Sequence, residues 1–135
     1  MSAQHIHIVD NDAMAALVTQ LGLQSRLQDE AMITFTADLS RDVQTAVTDP
    51  VDLFIVDPGA QSQAATALIR QVQQCFPDTP VLVLTAYDSP MLRAQMRQLG
   101  VQSYLAKPVG VIDLEMVVRT MMASKRKEAL VDAGH

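Results

Sequence analysis

"DLFIVDPGAQ", residues 52–61, decides how this chain is read. Leu53, Phe54, Ile55 and Val56 are apolar at every position. Such a run suits a strand covered on both faces, as in the interior of a parallel sheet. It stops on a carboxylate, Asp57, followed by Pro58 and Gly59, which turn the backbone. An acid at the exit of a core strand raises a question of function rather than packing.

The same pattern repeats on either side. "IHIV" (6–9), "AMITFT" (31–36), "VLVLT" (81–85) and "VQSYLA" (101–106) read as strands. Amphipathic stretches separate them. Asn11 or Asp12 caps a first helix whose apolar residues Met14, Leu17, Val18 and Leu21 fall at i, i+3, i+4 and i+7, with Gly22 near its end. Asp38 or Ser40 caps a short second helix with Leu39, Val43 and Val47. A third carries Leu68, Val72 and Cys75 and ends before Pro77. Ser89-Pro90 opens a fourth with Leu92, Met96 and Leu99, closed by Gly100. A last helix carries Leu114, Val117, Val118 and Met121. Five strands alternating with five helices predict an α/β, doubly wound parallel sheet with helices on both faces.

The 135 residues fit one domain, and 49% of them are hydrophobic, enough for a core. No apolar run is long enough to span a bilayer. The start, "MSAQHIHIVDND", has no signal-type segment, and the single cysteine, Cys75, suits a reducing compartment, so a cytoplasmic protein is expected. Cys75 itself reads as a small buried hydrophobe. The net charge of −5 argues against direct nucleic-acid binding, which needs clustered positive charge. The one basic cluster, Lys125-Arg126-Lys127, reads as favourable charge at the end of a last helix. Residues 1–123 are expected to form the domain and 124–135 a helical extension or linker.

Ligands of such sheets bind beyond the carboxyl ends of the strands. The exits carry Asp10, Asn11 and Asp12 after the first strand, Asp57 after the third, Thr85 and Ala86 after the fourth, and Lys107 after the fifth. Two carboxylates, Asp10 and Asp57, suit a hard divalent cation such as Mg²⁺. A carboxylate is also a nucleophile toward phosphoryl groups. Lys107 and Thr85 suit phosphoryl oxygens. Each residue alone has an ordinary role: a cap, a solvated lysine, a strand threonine. Their gathering on successive exits of one edge is what chance does not supply.

These pieces, "HIVDND", "DLFIVD", "VLVLTAYD" and "SYLAKPV", resemble the receiver domain of two-component response regulators, from about His5 to about Met122. The resemblance implies a flavodoxin-like, CheY-like fold with strand order 2-1-3-4-5. It makes Asp57 the residue phosphorylated by a histidine kinase or phosphotransfer protein. It makes Asp10, Asn11, Asp57 and the backbone of Gly59 the Mg²⁺ site. Thr85 and Lys107 match the residues that contact the phosphoryl group, and Tyr104 the aromatic that follows Thr85. The signalling surface is the fourth helix, fifth strand and fifth helix, where a homodimer through the C-terminal helical face also belongs.

Three departures from the family pattern stand out. Asn11 replaces an acid, so weaker Mg²⁺ binding is expected; Asp12 is near enough to compensate, but its ordinary role as cap of the first helix is favoured. Pro58 removes a backbone N–H beside the acceptor. The loop "PGAQSQAAT" places Gln61 and Ala65 where the family has proline and glycine. The rival reading is a phosphorylation-independent interaction or dimerisation module. A small phosphoester hydrolase would need a second aspartate at Gly59, and a flavin protein a hydroxyl-rich loop at "DNDAMA". His5 and His7 share one strand face and read as an ordinary polar pair. Met91, Met96, Met121 and Met122 suit either core or an adaptable partner surface.

Overall fold

The structure is a computed structural model that describes residues 3–39, 43 and 47–133, the last nine of these by backbone alone. The parallel strands β1 (Gln4–Asp10), β2 (Ala31–Thr36), β3 (Leu53–Asp57), β4 (Val81–Thr85) and β5 (Ser103–Ala106) form one sheet in the order β2-β1-β3-β4-β5. The described helices are α1 (Ala13–Leu27), α2 (Ser62–Cys75), α3 (Pro90–Gln98) and α4 (Val111–Ala133). Of the short helix expected over 38–47, residues 40–42 and 44–46 lie outside the described residues; Val43 and Val47 are buried and Leu39 packs partly buried against the same core.

The sheet's pleat sorts the core into two layers. Ile6, Ile8, Leu53, Ile55, Leu82 and Leu84 pack with α1 and α4 on one face. Val9, Phe54, Val56, Val81 and Val83 pack with α2 and α3 on the other. β3 is buried along its whole length, as its apolar run requires. Its last residue is Asp57 itself, which pairs in register with Asp10 at the end of β1.

Capping follows the sequence with one choice resolved. Asp12, not Asn11, caps α1, its carboxylate accepting from the N–H groups of Met14 and Ala15. Ser89 caps α3 ahead of Pro90, and Gly100, at φ +76°, follows its end.

Helix α1 packs differently from its apolar period. Met14, Val18 and Leu21 are 60–68% exposed, and Leu17 is exposed too. The inward residues are Ala16, Leu23 and Leu27, together with Gln20 and Gln24. The two glutamine amides donate to the carbonyls of Ile33 and Ala31 on the edge strand β2. Covering those carbonyls turns the glutamine side of the helix inward. Gly22 is not a terminator. It lies inside α1, where a Cβ would stand 3.3 Å from Val111 Cγ2 on α4.

Smaller differences have similar causes. In α2 the buried residues are Ala65, Ile69 and Val72, and Cys75 at the helix end is only half-buried rather than a core residue. Met96, Met121 and Met122 are core, and Met91 is exposed. α4 runs without a break from Val111 to Ala133.

His5 and His7 are buried on the α2/α3 face and bonded in series. His5 Nδ1 meets the Pro50 carbonyl and its Nε2 meets Thr34 Oγ1. His7 Nδ1 meets the same Thr34 oxygen and its Nε2 meets Thr36 Oγ1. A carbonyl only accepts, so His5 carries its proton on Nδ1 and Thr34 donates to its Nε2. Thr34 has then spent its hydrogen, so His7 donates from Nδ1 and Thr36 donates to His7 Nε2. Burial, followed by the neighbouring His5, lowers the His7 pKa to about 4.

Candidate functional site: an acidic cleft at the carboxyl edge

Asp10, Asp57 and Lys107 converge at the carboxyl ends of β1, β3 and β5. Counting along each strand puts all three on the α1/α4 face. Asp10 is 5% and Asp57 7% exposed. Lys107 Nζ lies 3.1 Å from Asp10 Oδ2 and 3.2 Å from Asp57 Oδ2, so one ammonium serves two carboxylates. Burial alone would lower the Lys107 pKa, but the bonds and charges of Asp10 and Asp57 outweigh it and raise the pKa. The backbone anchors the lysine through its N–H to the Thr85 carbonyl, 2.8 Å.

Asp57 takes two further donors. Gly59 N–H donates to Oδ1 at 3.1 Å and Ala86 N–H to Oδ2 at 3.2 Å. Pro58 removes one N–H, and Gly59, at φ +86°, turns the next one onto the carboxylate. Asp10 Oδ1 accepts from Asp12 N–H at 2.9 Å. These groups line a cleft of about 300 Å³ together with Asn11, Ala60 and Tyr87. Asn11 is exposed at its rim. Asp12 borders the cleft, but its carboxylate is committed to the α1 cap.

Thr85 and Tyr104 lie elsewhere. Counting along β4 and β5 puts both on the α2/α3 face, opposite the acids. Thr85 is fully buried, and its Oγ1 accepts from Tyr87 N–H at 2.9 Å. Tyr104 is half-buried against the core, and its hydroxyl donates to Asp88 Oδ1 at 2.8 Å. Thus Asp10, Asn11, Asp57, Gly59 and Lys107 share one cleft, while Thr85 and Tyr104 stand behind it. Sequence reasoning missed Asp88 and Arg93 as partners of Tyr104. The signal available was an acid just before the Ser89-Pro90 helix start with an arginine one turn into the helix.

The donor set suits Mg²⁺, which binds through one or two carboxylates and keeps several waters. Asp10 and Asp57 would supply the carboxylates, and Asn11 an amide oxygen in place of a third charge. Beside the cleft a groove of about 730 Å³ runs between α1 and the start of α4. Met14, Val18, Pro108 and Val111 line it, with Lys107 at its head.

A doubly wound sheet in this order with paired acids at its carboxyl edge defines a class of signalling domain. The chain belongs to the response regulator receiver domain family, whose model matches residues 6–119. It is 33% identical over 106 residues to the transcriptional regulatory protein GlrR of Escherichia coli K12, covering 78% of this chain and 23% of that protein. It is 30% identical over 101 residues to the KDP operon regulator KdpE of the same organism, covering 74% and 44%. The chain thus matches less than half the length of these curated relatives. The CheY-like receiver from Methanospirillum hungatei superposes with a TM-score of 0.77 at 22% identity, covering 94% of this chain and 99% of that one. A Burkholderia pseudomallei response regulator, solved with a phosphorylated aspartic acid, a calcium ion and citrate, superposes at 0.71 and 23% identity, covering 96% and 74%. No described helix is long and apolar enough to cross a membrane.

Proposed function

We propose that this receiver domain accepts a phosphoryl group on Asp57 from a histidine kinase or phosphotransfer protein and passes the change to a partner surface. The observation that carries the reading is the convergence on Asp57 of Lys107 Nζ and the N–H groups of Gly59 and Ala86. A phosphorylated aspartate needs donors of this kind for the oxygens it gains. In the transfer, an Asp57 oxygen forms a bond to phosphorus. The phosphorus–nitrogen bond of the donor phosphohistidine breaks, and its electron pair returns to the imidazole. Asp10, Asp57 and the Gly59 carbonyl would hold Mg²⁺, with Asn11 beside them; the ion would neutralise charge on the phosphoryl oxygens. Lys107 is placed to turn from Asp57 to a phosphoryl oxygen while keeping Asp10. Thr85 would add its hydroxyl after a small turn of the β4 exit, and Tyr104 would follow it.

The donor docks, in this reading, on the exposed stripe of α1. Met14, Leu17, Val18 and Leu21 present apolar surface, Met14 and Val18 lining the groove next to the cleft, and surface of that kind marks interaction sites. Residues 1–123 form the switching unit and 124–135 the connection to an output. A homodimer through the C-terminal helical face would use Ile112 and Met116, which are exposed on α4. With a net charge of −5, this domain is not expected to contact nucleic acid directly. The cytoplasm, where histidine kinases present their phosphohistidine, is the expected compartment.

The test is fluoroberyllate binding in the presence of Mg²⁺, followed by ¹⁹F NMR. A bound resonance in the wild type and none in Asp57→Ala is the expected result. Its absence in the wild type would favour a phosphorylation-independent interaction module.

A further inference from the structure

Tyr104 is tied into a closed set of contacts. Its hydroxyl shares the Asp88 carboxylate with Arg93, whose Nε and Nη2 donate at 2.8 and 2.9 Å. The Arg93 guanidinium carbon lies 5.2 Å from the centre of the Tyr104 ring, within cation–π range. The three residues come from the loop after β4, the first turn of α3 and the middle of β5. Asp88 precedes Ser89, the α3 cap, and follows Tyr87, whose N–H is held by Thr85 Oγ1. The loop is therefore fastened to Thr85 at one end and to Tyr104 at the other.

We infer that Asp88, Arg93 and Tyr104 form a latch holding the loop after β4 and the start of α3 in the phosphoryl-free arrangement. The inference rests on Asp57 being the phosphoacceptor. A turn of the β4 exit that carries the Thr85 hydroxyl toward Asp57 draws on Tyr87 and then on Asp88. Tyr104 follows only when its hydroxyl leaves the carboxylate. The latch is weak enough to open, because Asp88 and Arg93 side chains are 32% and 54% exposed and such pairs contribute little. It is also insensitive to ordinary pH. The bonds from Arg93 and then Tyr104 hold the Asp88 carboxyl down to about 2. Contacts present in only one of two arrangements set the balance between them.

The test compares wild type, Tyr104→Phe, Asp88→Asn and Asp57→Ala by ¹H–¹⁵N spectra, fluoroberyllate titration with Mg²⁺ and thermal melting. Without analogue, the Ala86, Tyr87 and Leu92 resonances of the two latch variants should lie displaced toward the analogue-bound wild-type positions. Both variants should bind fluoroberyllate about fivefold more tightly, the scale of one lost hydrogen bond. Binding to wild type with unchanged affinity in both variants would overturn the latch and leave the phosphoacceptor reading standing. So would a lower melting temperature without tighter binding, the mark of a merely structural contact. Binding by the variants alone would support a latch that keeps the site shut, and binding by none would overturn both readings.

Discussion

Lys107 is the counter-ion of two buried acids. The family's third acid is Asn11 here, and Asp12 cannot substitute because it caps α1. Restoring the charge with Asn11→Asp should raise Mg²⁺ affinity about tenfold, the order expected for one added charge near a divalent ion in a partly exposed site. A Mg²⁺ titration followed by amide shifts of Asp10 and Asp57 checks it. The Asn11 substitution was legible in the sequence, and so was the cap as the ordinary role of Asp12; that its carboxylate takes two N–H groups of the first turn was not. The histidine pair gives a second prediction. Burial lowers the pKa of His7 in the folded protein from the usual 6.5 to about 4. Below pH 6.5 the unfolded chain takes up a proton that the folded protein refuses. Stability is therefore full above pH 6.5 and falls as the pH drops toward 4, by roughly 3 kcal/mol over the window. Urea unfolding at pH 7 and pH 4.5 should show the loss, and His7→Gln should lack that component. The two histidines could be seen in the sequence, and their bonding through Thr34 and Thr36 needed the β1–β2 register.

At the scale of elements, α1 carries the largest departure from the sequence reading. Its apolar period is real, yet it points outward, because the helix covers the carbonyls of edge strand β2 with Gln20 and Gln24. Period alone identifies the apolar face and cannot say whether that face meets the sheet or a partner. Val18→Asp should thus change stability by no more than about 0.5 kcal/mol while sharply slowing phosphotransfer from a donor protein. Leu23→Ala, on the fully buried side, should cost about 2–5 kcal/mol. Denaturant melts paired with transfer kinetics separate the two. Equal destabilisation by both would mean that the stripe is core after all.

At the scale of the molecule, the fold was legible because its five strands are short apolar runs, each parted from the next by helical periodicity. Their consecutive exits named the residues of the edge, and Asp10, Asp57 and Lys107 do meet there. The split of the exits between two faces was harder to see. Strands that are apolar on both sides hide their alternation, so nothing in "VLVLT" announces that Thr85 turns away from Asp57. The proposed phosphotransfer requires the domain to take a phosphoryl group despite Asn11 and Pro58. The most direct test is intact mass after incubation with acetyl phosphate and Mg²⁺, beside Asp57→Ala. The wild type should gain the mass of one phosphoryl group and the variant none. No gain in the wild type, or an equal gain in both, would contradict the proposal.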